Sequence, residues 1–155
     1  MKINYSIVGL GRSGNKIHYK SLNKINFFNL IGVCDSNYDK LKALNSKKKL
    51  FKTKNYKEIA SLVELKLVVI STNTNEIFKI AKFFLEKKIA IVIEKPFGKN
   101  IKEFEKLVKI STKNKTKIYP FFNFRYAKNY EIIKNLLNLN LIENINQIKR
   151  NESYF

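Results

Sequence analysis

Three of the chain's five glycines fall within six residues, in the run Gly9-Leu10-Gly11-Arg12-Ser13-Gly14. An apolar, β-branched stretch, Ile3–Val8, leads into it, and a helical pattern from about Gly14 to Asn23 follows. A strand, a glycine turn and a helix in immediate succession leave few folds open. In such a turn the first glycine makes the tight bend and the second lets backbone approach a pyrophosphate. The third allows helix and strand to pack closely. The helix start then offers unpaired N–H groups and the positive end of its dipole to phosphate oxygens. Gly9, Gly11, Arg12, Ser13 and Gly14 are therefore the first candidates for binding a dinucleotide cofactor.

The remainder of the chain alternates in the same way. Leu30–Cys34, Leu50–Lys52, Leu67–Ser71, Ile89–Ile93 and Ile118–Phe122 read as strands. Between them lie helical patterns over Asp39–Leu44, Glu58–Val63, Glu76–Glu86 and Ile101–Ile110. The clearest has Ile77, Ile80, Ala81, Phe84 and Leu85 along one helical face. A last helix over Asn129–Leu139 leads to a strand expected near Ile145. Strands alternating with helices imply βαβ units and a parallel sheet covered on both faces. Unbroken apolar strands such as Leu67–Ile70 agree with burial on both sides. The expected fold is α/β, a doubly wound parallel sheet.

Composition narrows the partners. In 155 residues, 31 Lys+Arg against 12 Asp+Glu give a net charge of +19. Only Arg12, Arg125 and Arg150 are arginines, and the lysines are dispersed. Recognition of phosphate and bases favours the planar fork of arginine, so a specific nucleic-acid partner is not expected. Abundant Lys, Asn and Ile together suit a codon bias toward A and T. The longest apolar runs fall far short of the ~20 residues a membrane-spanning helix needs, and a single cysteine, Cys34, excludes an internal disulfide. The sequence reads as soluble and cytoplasmic.

Asp35 ends the second strand, about 20 residues beyond the last turn glycine, where an acidic side chain accepts hydrogen bonds from the adenosine ribose. It would repel a 2′-phosphate, and Ser36-Asn37-Tyr38 supplies no arginine to offset that. NAD is expected over NADP. With His18 as the only histidine and one cysteine, neither a zinc site nor a Ser-His-Asp set is credible. His18 itself reads as a packed or phosphate-proximal helix residue rather than a catalytic one. The aromatic run Tyr119, Phe121, Phe122, Phe124 and Tyr126 reads as a domain interface.

Gly9 to Gly14, Asp35, Val69-Ile70-Ser71-Thr72 and Glu94-Lys95-Pro96 followed by Phe97-Gly98 lie in the order and spacing of a known family. The chain resembles the Gfo/Idh/MocA oxidoreductases, the family of glucose–fructose oxidoreductase and inositol dehydrogenase, over nearly its whole length. The resemblance implies a Rossmann NAD(P)-binding fold over residues 1–122, with 123–155 beginning a second α/β domain. It implies that Ser71 and Thr72 lie beside the cofactor, together with Glu94, Lys95 and Pro96. Lys95 would be catalytic, its ammonium orienting a substrate hydroxyl and stabilising developing negative charge. A sugar, inositol or nucleotide-sugar substrate is implied.

The chain also departs from the family pattern. The usual Thr-Pro-Asn-x-x-His reads Thr72-Asn73-Thr74-Asn75-Glu76-Ile77, without its Pro and His. The sequence stops at Phe155, where the family's second-domain sheet should begin. A truncated protein with little turnover is expected, with a companion polypeptide as one source of the remainder. The alternative is a non-catalytic nucleotide-sensing or protein-interaction domain.

Overall fold

A computed structural model describes residues 2–46 and 48–139, in two compact units, Met1–Phe121 and Phe122–Phe155. The β-branched runs of the first unit form β1 (Ile3–Val8), β2 (Phe28–Cys34), β3 (Phe51–Thr53), β4 (Leu67–Ile70), β5 (Ala90–Ile93) and β6 (Ile118–Pro120). All pair in parallel, in the spatial order β3-β2-β1-β4-β5-β6. Parallel neighbours require crossovers, and helices stand in every connection between consecutive strands. They are α1 (Arg12–Tyr19, wound as a π-helix, continued by the α-helical Lys20–Leu22), α2 (Tyr38–Ala43), α3 (Tyr56–Ile59), α4 (Thr74–Glu86) and α5 (Ile101–Lys113). The expected doubly wound sheet is the observed one.

Alternating side chains divide the core between the two faces of the sheet. Val8, Val68, Ile70, Ile91 and Ile93 pack with Ile77, Ile80, Ala81, Phe84 and Leu85 of α4 and Leu107 of α5. Tyr5, Ile7, Leu67 and Val69 face the other way, onto Leu10, Leu30, Val33, Leu41 and Leu44. Every residue of β4 is buried, which explains its unbroken apolar run. Full burial of side chains of this size contributes roughly 1.5–3 kcal/mol each.

Helix starts differ from those read off the periodicity, for one reason. Asn37, Asn55, Asn73 and Asn100 each accept a backbone N–H of the first turn that follows. These caps begin α2 at Tyr38, α3 at Tyr56 and α4 at Thr74, each ahead of its first periodic apolar residue. α3 is also shorter than the expected Glu58–Val63, ending at Ile59. The asparagines that look like codon bias thus place four helices. In the second unit, a 3₁₀ turn (Asn123–Tyr126) precedes α6 (Lys128–Asn138), none of whose residues is buried. The strand expected near Ile145 lies outside the described residues.

Candidate cofactor site

The strand order reverses between β1 and β4, and ligands of open α/β sheets bind at such a switch point, beyond the carboxyl ends of the strands. Backbone bonds hold those ends together: Gly9 N–H donates to the Cys34 carbonyl at 2.8 Å and Ser71 N–H to that of Val8 at 2.8 Å. A cleft of about 470 Å³ opens there. Its wall includes Gly9, Gly11, Asp35, Ser71 and Thr72, with Lys40 and Lys54 at one side.

The three glycines have three different surroundings. Gly9 has φ +96°, and a Cβ there would stand 2.3 Å from the Ser71 carbonyl oxygen. A Cβ on Gly14 would stand 1.9 Å from the Gly9 carbonyl oxygen, so α1 lies directly on the turn. Around Gly11 nothing comes within 4 Å of the Cβ position. Gly9 and Gly14 are closed in by protein, while Gly11 faces open space beside the start of a helix. A turn of that form fits a dinucleotide pyrophosphate, whose oxygens need bare backbone rather than side chain. Ser71 Oγ is buried without a hydrogen-bond partner, 3.0 Å from the same Gly14 Cβ position.

Asp35 is 7% exposed and already engaged. Its Oδ2 accepts the Leu10 N–H at 2.7 Å, and its Oδ1 accepts the Asn37 N–H at 2.8 Å. Lys40 Nζ stands 3.6 Å from Oδ2. The carboxylate therefore pins the glycine turn while remaining in the cleft wall, with acceptor capacity left on both oxygens. Lys40 and Lys54 enter the cleft wall with no signal in the sequence. Nothing in their spacing distinguishes them from the other lysines. Next to Asp35, burial pushes the Cys34 thiol up to about 12, with the charges of Asp35 and Glu58 adding to the rise. The thiol stays protonated and unreactive at neutral pH.

Glu94, Lys95 and Pro96 follow β5, outside the wall of that cleft. Glu94 is buried, Lys95 and Pro96 are exposed, and the Lys95–Pro96 peptide is cis. Glu94 turns its carboxylate toward α1. Its Oε1 accepts the Ser13 hydroxyl, and His18 Nε2 lies 2.7 Å away. Of the candidate residues, then, Gly9, Gly11, Asp35, Ser71 and Thr72 share the cleft. Gly14 lies in the packing behind the turn, Arg12 is exposed and Ser13 is joined to Glu94.

The profile of the Gfo/Idh/MocA group, described as an oxidoreductase family with an NAD-binding Rossmann fold, matches residues 3–122. The chain belongs to that family. No curated protein sequence matches it. Among solved structures it is similar to the WlbA dehydrogenase of Chromobacterium violaceum in complex with NADH and UDP-GlcNAcA, at 22% identity and TM-score 0.82 over 89% of this chain and 40% of that one. The myo-inositol 2-dehydrogenase of Lactobacillus plantarum is 21% identical with TM-score 0.82, over 92% of this chain and 42% of the other. The oxidoreductase yvaA of Bacillus subtilis is 21% identical with TM-score 0.84, over 94% and 43%. At such identities the likeness shows the fold. The chain spans about two fifths of the length of these structures. As an NAD-binding Rossmann domain of this oxidoreductase family, it carries the expected fold and cofactor class. Among the described residues no helix is long and apolar enough to cross a membrane.

Proposed function

We propose that this chain is the cofactor-binding part of an oxidoreductase acting on a hydroxyl or carbonyl of a sugar, inositol or nucleotide-sugar. The single observation that carries the reading is the asymmetry of the glycine turn, closed at Gly9 and Gly14 and open at Gly11. The substrate class is supported by the WlbA and inositol dehydrogenase structures to which the chain is similar.

In this reading the pyrophosphate lies on the Gly9–Gly14 turn, with Arg12 and Ser13 at the helix start. Asp35 accepts the adenosine ribose hydroxyls and disfavours a 2′-phosphate, giving NAD over NADP. Ser71 and Thr72 flank the cofactor from β4. NAD held there would supply the donor or acceptor of a hydride for the substrate carbon. The Lys95 ammonium, exposed at the carboxyl end of β5, orients the substrate oxygen and stabilises negative charge developing on it. Glu94 and Pro96 hold that lysine in place. Residues 123–155 begin the substrate domain, the remainder of which comes from further chain or from a companion polypeptide in the cytoplasm.

The test is a titration with NADH and NADPH followed by the cofactor's own fluorescence, since the chain has no Trp. Saturable NADH binding, weaker for NADPH and lost in Gly11→Val, is the expected result. A folded protein that binds neither cofactor overturns the reading.

A further inference from the structure

Glu94 lies directly before Lys95 and is 9% exposed. A carboxylate buried to that degree requires compensating donors. Both come from α1: the Ser13 hydroxyl and His18 Nε2 meet the same oxygen, Oε1. An ionised carboxylate only accepts, so Nε2 carries the proton and donates.

Ser13 and His18 are five residues apart, a spacing that an α-helix would turn to faces roughly 140° apart. In a π-helix, hydrogen bonds run from i to i+5, and the wider turn brings residues five apart onto one side of the helix, within roughly 50° of each other. The segment Arg12–Tyr19 is wound in that way and reverts to α geometry at Lys20. The unusual winding is therefore what lets two side chains of one helix reach one oxygen. His18 is 4% exposed, and its ring packs edge-on against Phe121, with centroids 4.6 Å apart. The Phe121 N–H in turn donates to the carbonyl of Ile93, the residue before Glu94, at 3.0 Å. The helix, the end of β5 and the exit of β6 are thus tied at one point.

We infer that Ser13, Glu94 and His18 form a positioning clamp. It sets the Glu94-Lys95-Pro96 segment against the helix of the glycine turn, and so fixes where Lys95 stands along the bound dinucleotide. His18 touches neither cofactor nor substrate in this arrangement and acts through Glu94. The clamp belongs to the β5 end of the site. Asp35, at the β2 end, is held by Leu10 and Asn37 instead. This inference rests on the proposed cofactor site.

The test separates the two ends of the dinucleotide by comparing NADH with ADP, which lacks the nicotinamide half, on the full chain. His18→Leu keeps the volume and removes the donor. It is expected to weaken NADH binding about tenfold while ADP binding stays within about twofold. His18→Gln, which restores an N–H donor, is expected to recover most of the NADH affinity. Glu94→Gln, which keeps the accepting oxygen, should retain more of it than Glu94→Ala. If circular dichroism shows His18→Leu unfolded, Ser13→Ala replaces it and is expected to weaken NADH more than ADP. Equal weakening of NADH and ADP, no effect on either, or failure of His18→Gln to recover binding overturns the clamp. A folded wild-type chain that binds neither ligand overturns the cofactor reading itself, and the clamp with it.

Discussion

Two buried carboxylates end two strands of this sheet and brace the same glycine turn, but they do so by different means. Asp35 at β2 takes backbone N–H groups, from Leu10 and Asn37. Glu94 at β5 takes side chains, Ser13 and His18, aligned by the winding of the helix. A backbone donor is present whatever side chain the residue carries, so the two bonds of the first arrangement do not depend on the side chains of Leu10 and Asn37. The second depends on two particular side chains and on a π-helical stretch. The β2 end is thus built into the fold, whereas the β5 end is specified by particular side chains.

The comparison breaks outright if the turn itself is lost. Gly14→Val is expected to have the largest effect, because its Cβ would fall 1.9 Å from the Gly9 carbonyl oxygen, a backbone atom with no room to yield. Strain of that kind costs more than about 3 kcal/mol, a large part of the stability of a small domain. Chemical denaturation should show the variant largely unfolded. Native-like unfolding would mean that α1 does not lie against the turn as described.

Next in size is the removal of one carboxylate. Asp35→Ala leaves the buried Leu10 N–H without its acceptor, with an expected loss of about 1–3 kcal/mol. Asp35→Ser removes the charge yet keeps a short acceptor. It leaves Lys40 and Lys54 as the charged groups on that side of the cleft. Fluorescence titration should then show the NADH preference over NADPH falling by about tenfold or more, since like-charge juxtaposition is costly. An unchanged preference would remove Asp35 from cofactor discrimination.

How much of this was legible in the sequence follows the same division. The strands, their parallel pairing and the glycine turn are readable because each rests on local rules: β-branched runs, periodicity and the spacing of Gly9, Gly11 and Gly14. Asp35 was readable because its distance from the turn is set by one βαβ unit. The Ser13–Glu94–His18 contact was not. It joins residues 76 and 81 positions apart, and at α-helical spacing Ser13 and His18 point to different faces. A reader expecting a regular helix there has no reason to pair them. The early starts of α3 and α4 escape periodicity for a simpler reason: periodicity locates the middle of a helix, while the asparagine caps decide where it begins.

A smaller effect distinguishes the two ends by pH. The unfolded chain releases the Cys34 proton near the usual 9.0, but the folded protein holds it to about 12. Between those values the unfolded state binds fewer protons, so stability falls as pH rises from about 9 to about 12. Below that window the thiol contributes no pH dependence. Burial, with a further push from Tyr19, raises Tyr5 in the same sense. Cys34→Ala should flatten the alkaline slope without abolishing it, as measured by urea denaturation at a series of pH values. An unaltered slope would show that burial next to Asp35 does not govern the thiol.

The smallest change in stability is expected where the functional loss should be greatest. Gly11 has φ −66° and ψ −165°, a conformation open to any residue, and nothing lies within 4 Å of its Cβ position. Gly11→Ala should therefore fold as well as the parent, or gain up to about 0.4–1 kcal/mol by restricting the unfolded chain. Its methyl group nevertheless projects into the space assigned to the pyrophosphate, so NADH affinity should drop while the melting temperature holds or rises. Gly14 and Gly11 would then form a matched pair, one glycine required by the fold and one by the ligand. If Gly11→Ala binds NADH as tightly as the parent, the open face of the turn is not where the phosphates lie. Asp35 and Glu94 would then be bracing a turn for packing alone.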